Sequence, residues 1–206
     1  MMLFREARLV FLCVPKTGTE AYMESLKDIA DFQIPEPPQL KHMRPERFNH
    51  EYRAVIEADG GAPVRLMAVI REPISWLRSW YRYRQRADLD GHPNSTAHIS
   101  FDQFVLDYMK EQRPSWAHVG QQSRFVSDAT GKILIDHLFA YEQLDQMRAF
   151  LSDALGRKIE EPTRRNVSPD AEAQLSPALE EAFRLRFMAD FKLHEAVLAG
   201  RRPERI

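Results

Sequence analysis

Leu9-Val10-Phe11-Leu12-Cys13-Val14-Pro15-Lys16-Thr17-Gly18-Thr19-Glu20-Ala21 is the stretch on which the reading of this chain turns. An unbroken apolar run from Leu9 to Val14 reads as a strand covered on both faces, not one half-exposed to water. Beyond it, Tyr22, Leu26 and Ile29 recur at helical spacing, so the segment reads as strand, short loop, helix. At such a junction the first N–H groups of the helix lack intrahelical partners, and Gly18 lets a ligand approach the backbone. With the ammonium of Lys16 and the hydroxyl of Thr19, the junction suits a phosphate-like dianion. The competing reading is an ordinary strand-to-helix turn with a surface lysine. It is not a Walker A loop, which needs a longer Gly-x-x-x-x-Gly-Lys-Ser/Thr span; here the lysine precedes the glycine.

Working outward, residues 8–14, 64–70 and 133–139 form three short apolar runs that suit buried strands. Helical patterns lie between and after them. Ser100-Phe101-Asp102-Gln103 reads as a capping box, followed by an apolar face of Phe101, Phe104, Val105, Tyr108 and Met109. Ser176-Pro177 opens one long last helix with the stripe Leu179, Phe183, Phe187 and Phe191. Strands alternating with helices predict an α/β fold, a three-layer α/β/α arrangement around a central parallel sheet, in one domain over residues 1–206. Residues 33–53, with four prolines, and the polar residues 87–97 read as long irregular connections, a kind often functional.

Composition narrows the classes. The 206 residues carry 29 Lys plus Arg and 30 Asp plus Glu, a formal net charge of −1, which argues against avid non-specific binding to nucleic acid. A hydrophobic fraction of 44% excludes disorder as the main state. Cys13 is the single cysteine, so no disulfide scaffold exists. No run approaches the ~18 apolar residues of a membrane span, and the run at Leu9 is too short for a secretion signal, so a cytoplasmic location is the expectation. No Cys/His spacing for zinc and no calcium loop is seen, so no metal is expected.

A second constellation follows the second strand, where Val69-Ile70-Arg71-Glu72-Pro73 leads into a helix carrying Trp76, Arg78, Ser79, Trp80, Tyr81 and Arg82. Arg71 closes a strand of a parallel sheet, at the end where ligands of open α/β sheets bind. Arg71 and Ser79 suit a second phosphate. Arg78, Arg82 and Arg86 share a helical face and read as solvated. Trp76 and Trp80 read as helix packing, and Trp116 as a loop aromatic able to stack on a ring.

Val14-Pro15-Lys16-Thr17-Gly18-Thr19, followed by Arg71-Glu72-Pro73 with Ser79 and Tyr81, resembles the sulfotransferases that use 3′-phosphoadenosine 5′-phosphosulfate (PAPS). Gln122-Ser123-Arg124-Phe125-Val126, Phe139-Ala140-Tyr141-Glu142 and Arg165-Asn166-Val167-Ser168-Pro169 are similar to the bacterial and carbohydrate-type branch, so the resemblance spans nearly the whole chain. It implies a P-loop-like fold and transfer of a sulfuryl group to a hydroxyl or amine. It implies that Lys16, Thr17, Gly18, Thr19 and Glu20 meet the 5′-phosphosulfate, and that Arg71 and Ser79 meet the 3′-phosphate. Arg165 and Ser168 are expected to close over that phosphate and the ribose. Lys16 is expected to stabilise the leaving phosphate. His42, in Lys41-His42-Met43-Arg44, is the expected base, ahead of His50, His118 and Glu20. His137 and His194 read as structural. Two departures stand out: Glu20 replaces the Thr or Ser of many relatives, and Trp76 replaces an arginine seen in some. The implied acceptor is a small molecule or carbohydrate, and an oligomer through the last helix is open. The alternatives are a nucleotide kinase or related NTPase, and a non-catalytic nucleotide-binding module on the same fold.

Overall fold

A computed structural model describes residues 1–163 and 173–206. Five strands form one sheet: β1 Met2–Phe4, β2 Leu9–Phe11, β3 Phe32–Gln33, β4 Arg65–Ile70 and β5 His137–Ala140, in the order β3-β1-β2-β4-β5. The helices are α1 Thr19–Ser25, α2 Pro38–Lys41, α3 Pro45–Glu51, α4 Arg53–Ile56, α5 Pro73–Tyr83, α6 Phe101–Met109, α7 Gln122–Val126, α8 Leu144–Ala154, α9 Pro177–Arg186 and α10 Met188–Leu198.

The chain is α/β, but the expected parallel sheet is a mixed one. β2, β4 and β5 are parallel, with Val10 opposite Leu66 and Ala68 opposite Leu138. β1 and β3 are antiparallel additions, with Leu3 opposite both Val10 and Phe32. The cause is a tight hairpin: four residues link β1 to β2, and a connection that short returns the chain antiparallel. A three-residue strand is too short to show a period in the sequence.

β2 and β4 bury both faces, as unbroken apolar runs should. Val10, Leu12, Leu66, Ala68 and Ile70 join one cluster with Phe48 of α3, Val126 of α7 and Leu193 of α10. Leu9, Phe11, Met67 and Val69 join another with Tyr22 of α1 and Met147 and Leu151 of α8. A third cluster is aromatic and joins α5, α6, α9 and α10 through Trp76, Tyr81, Phe104, Tyr108, Phe183 and Phe187.

Several local expectations change on contact with the structure. Residues 33–53 are not irregular throughout: α2 and α3 each begin at a proline, whose missing N–H costs nothing at a first helical position. The third apolar run pairs as a strand from His137, while Ile133 bridges Ser127 instead. The last helix is two, broken at Phe187. Its stripe repeats every four residues and drifts about 40° per step against a 3.6-residue turn; the break lets Phe187 and Phe191 both reach Phe183. Ser100 Oγ accepts the Gln103 N–H at 3.1 Å, as the capping box requires, but the Gln103 amide turns to Asp107 and not back to the cap. Among the described residues, no helix is long and apolar enough to cross a membrane.

Leu66 is fully buried between β2 and β5. Leu66→Ala is expected to lower unfolding free energy by about 2–5 kcal/mol in denaturant titration, and Val55→Ala, at 76% exposure, by less than about 0.5 kcal/mol.

Candidate functional site

The C-terminal ends of the three parallel strands bring together three distant segments: residues 12–20 after β2, 71–75 after β4 and 141–142 after β5. Pairing continues briefly past β2, where the Leu12 N–H reaches Met67 O at 2.9 Å, and then the loop leaves the sheet.

The loop is held from within and from α5. Thr17 is fully buried, and its hydroxyl donates to Val14 O at 2.8 Å. Its side chain thus closes the turn, which leaves the Thr17 backbone as the part able to meet a ligand. Gly18 sits at φ 76° as the N-cap of α1, and a Cβ there would lie 3.2 Å from the Tyr141 ring, so both backbone and space call for glycine. Lys16 also has positive φ, at 66°. Thr19 is buried in the first turn of α1. The indole of Trp76 donates to Pro15 O at 2.9 Å and so ties α5 to the loop.

Lys16 and Arg71 converge. The Arg71 guanidinium lies over the Tyr141 ring, 4.4 Å from its centroid, with Nε donating to Ser75 Oγ at 2.8 Å and Nη1 reaching Lys16 O at 3.5 Å. Ser75, one helical turn after Arg71, thus steadies the guanidinium, a contact the sequence reading did not name. Ser79 lies half-buried one turn further along α5. The Lys16 ammonium rests over Tyr83, 3.9 Å from the ring centroid, with Trp80 at 5.7 Å. Arg86 lies over the same tyrosine at 4.6 Å. Burial, reinforced by Arg86, Arg71 and Lys41 and partly opposed by Glu20, lowers the Lys16 pKa to about 8. Burial also draws Arg71 below its usual value, although a guanidinium stays charged.

Glu20 points away from this convergence in one respect: its carboxylate pairs with Lys41 Nζ at 2.9 Å. The next residue, His42, is half-buried, and its Nδ1 lies 2.8 Å from Cys13 O. A carbonyl only accepts, so Nδ1 carries the proton and Nε2 the lone pair. Burial holds the imidazole below its ordinary pKa, so the neutral, proton-accepting form prevails at neutral pH. His50 and His118 are exposed. Cys13 is buried, and desolvation raises its thiol pKa, so it is no nucleophile. Arg165 and Ser168 lie outside the described residues.

Sequence reasoning passed over Ser75, and it named Tyr83, Tyr141 and Gln122 without the contacts they make here. Ser75 was visible as the i+4 neighbour of Arg71. Gln122, whose side chain accepts from Arg71 N at 2.9 Å and donates to Arg71 O at 2.7 Å, comes from 51 residues away with no local signal. Among the described residues, no group of three or more His, Cys, Asp or Glu gathers as a metal site. A groove of about 550 Å³ between α9 and α10 involves none of these residues; Leu185, Met188 and Phe191 supply its apolar wall.

No family model, no curated protein and no solved structure matches the chain.

Lys16 is charged below its pKa of about 8 and neutral above it, so its attraction for an anion falls as pH rises through that value. Acylation by an amine-directed reagent, followed by peptide mass mapping, should show a Lys16 midpoint near pH 8, against about 10.4 for an ordinary exposed lysine.

Proposed function

We propose that this chain is a PAPS-dependent sulfotransferase, moving a sulfuryl group to a hydroxyl or amine acceptor, with carbohydrates as the acceptor class the motif resemblance favours. The observation that carries the reading is the meeting of Lys16 and Arg71, 55 residues apart, at one end of the parallel strands. Two cations near one glycine turn, seated over different tyrosines, fit a ligand with two anionic groups better than one with a single phosphate. The parallel trio β2, β4 and β5 supports the finer reading of the fold, a P-loop-like three-layer arrangement with its ligand at the strand ends. A cytoplasmic location goes with it.

In this reading PAPS supplies the activated sulfuryl group, and the chain supplies position and charge. Lys16 leaves the face of Tyr83 to meet negative charge building on the 5′-phosphate. Arg71, steadied by Ser75 and Tyr141, takes the 3′-phosphate, with Ser79 further along the same helix. Thr19 and the amides after Gly18 border the phosphosulfate; α1, at seven residues, adds little dipole, so the cationic side chains provide the charge compensation. His42 accepts the acceptor's proton at Nε2 while Nδ1 stays on the Cys13 carbonyl. Glu20, engaged by Lys41, balances local charge and leaves Lys16 to the ligand.

Thermal shift with adenosine 3′,5′-bisphosphate, adenosine 5′-monophosphate, ATP and GTP, each with and without Mg²⁺, tests the class. At 100 times its dissociation constant a ligand adds about 2.7 kcal/mol of stability. A metal-independent shift confined to the bisphosphate is expected; a shift with triphosphate and Mg²⁺ alone moves the protein to the kinases. Binding of the bisphosphate without sulfuryl transfer to any acceptor in a screen marks a non-catalytic module.

Two substitutions divide the roles. Arg71→Ala should weaken the bisphosphate by about tenfold or more in calorimetry and the monophosphate far less, on the scale of a lost charge-assisted hydrogen bond. His42→Ala should lower kcat by about 100-fold or more while leaving bisphosphate affinity within about twofold.

A further inference from the structure

β4 makes its last ladder pairing at Ile70, opposite Ala140, and the peptide that follows carries Arg71. Buried backbone groups beyond a strand end still need partners. Here side chains provide them. The Arg71 N–H and C=O both bond the Gln122 side chain, and the Glu72 N–H donates to Glu142 Oε1 at 3.0 Å.

α10 holds the Glu142 side chain directly and Gln122 through its two chain neighbours. Asp190 Oδ1 accepts the Ser123 N–H at 2.9 Å, and Oδ2 accepts the Ser123 hydroxyl at 3.0 Å and the Gln121 amide. That fixes the residues flanking Gln122. One turn later, His194 Nε2 lies 2.8 Å from Glu142 Oε2. A carboxylate accepts, so the imidazole donates. Asp190 and His194 are each 6% exposed and stand at i and i+4 on one helix. Two separate supports therefore run from neighbouring positions on α10 to consecutive residues: His194 through Glu142 to the Glu72 N–H, and Asp190 through the backbone around Gln122 to Arg71.

We propose that Asp190 and His194 are positioning residues for Arg71: they brace the Arg71–Glu72 peptide and so set how strongly the site discriminates a ligand with a second anionic group from one with a single phosphate. The use of adenosine nucleotides as that ligand pair rests on the proposed sulfotransferase reading; the brace itself does not. A guanidinium gains its full, directional contact when its base is fixed, because ordering it on binding then costs less. Loss of the brace leaves the loop around Gly18 in place, since Thr17 and Trp76 hold it independently.

The test is residue-resolved amide exchange on the full chain, paired with calorimetry of adenosine 3′,5′-bisphosphate and adenosine 5′-monophosphate. His194→Ala should speed exchange of the Glu72 amide about tenfold with Arg71, on the other chain of bonds, changed far less. It should cut bisphosphate affinity about fivefold and leave the monophosphate within about twofold. His194→Gln, which restores a donor, should recover both readouts, which a general loss of packing would not. If His194→Ala fails to fold, Glu142→Ala, on a side chain one-third exposed, should move the Glu72 amide and the bisphosphate affinity in the same directions. Unchanged exchange at Glu72 overturns the brace. Faster exchange with equal losses for the two nucleotides overturns its link to Arg71. Failure of the unmodified protein to bind either nucleotide overturns the functional reading instead, and the exchange rates at Glu72 still decide the brace.

Discussion

Parallel pairing of β2 with β4, Val10 against Leu66, is the constraint from which the rest of the molecule follows. Because the two strands run the same way, both leave the sheet at the same end, and so does β5 beyond them. Each exit carries polar residues that nothing in the sheet satisfies. Lys16, Arg71 and Glu142 therefore meet although long stretches of chain separate them. Antiparallel strands would have placed the first two motifs at opposite edges. β1 and β3, which are antiparallel, widen the sheet on the far side and bring no motif to this end.

Charge at the strand ends is arranged by distance and not by simple pairing. Glu20 takes Lys41, and Glu142 takes His194, while Lys16 is set against aromatic faces. An ammonium on a tyrosine ring keeps its charge available in a way that one locked to a carboxylate does not. Burial makes holding that charge costly, which is why the Lys16 pKa falls so far. Any anion entering here meets a desolvated cation with fewer water molecules to displace, and in a partly excluded medium the attraction is stronger than at an open surface.

Much of this was legible in the sequence, for reasons that can be named residue by residue. The run Leu9 to Val14 announced a two-sided strand because both faces are in fact covered, and Ser100 and Pro177 announced helix starts because capping is a local affair. Arg71 stood out because it ends an apolar run. The hairpin to β1 did not, since three residues carry no period. Ser75, one turn before Ser79 on the same helix, is the hydroxyl that Arg71 Nε reaches, and only the direction of the Arg71 side chain reveals that contact. His194 read as packing because its partner, Glu142, is 52 residues away. Gln122 is the same case. Contacts across the fold leave no trace in local spacing, whereas those within a turn do.

The hydrogen bond from Trp76 to Pro15 has one further consequence. It joins the loop after β2 to the helix after β4, so the two strand-end motifs move as one body. A site assembled from independent loops must be ordered by its ligand and loses affinity to that ordering. Here the Trp76 indole ties the backbone of the glycine turn to the helix that follows Arg71, so part of that ordering is present beforehand. An anion meeting both motifs would therefore have to order the Lys16 side chain more than the backbone that carries it.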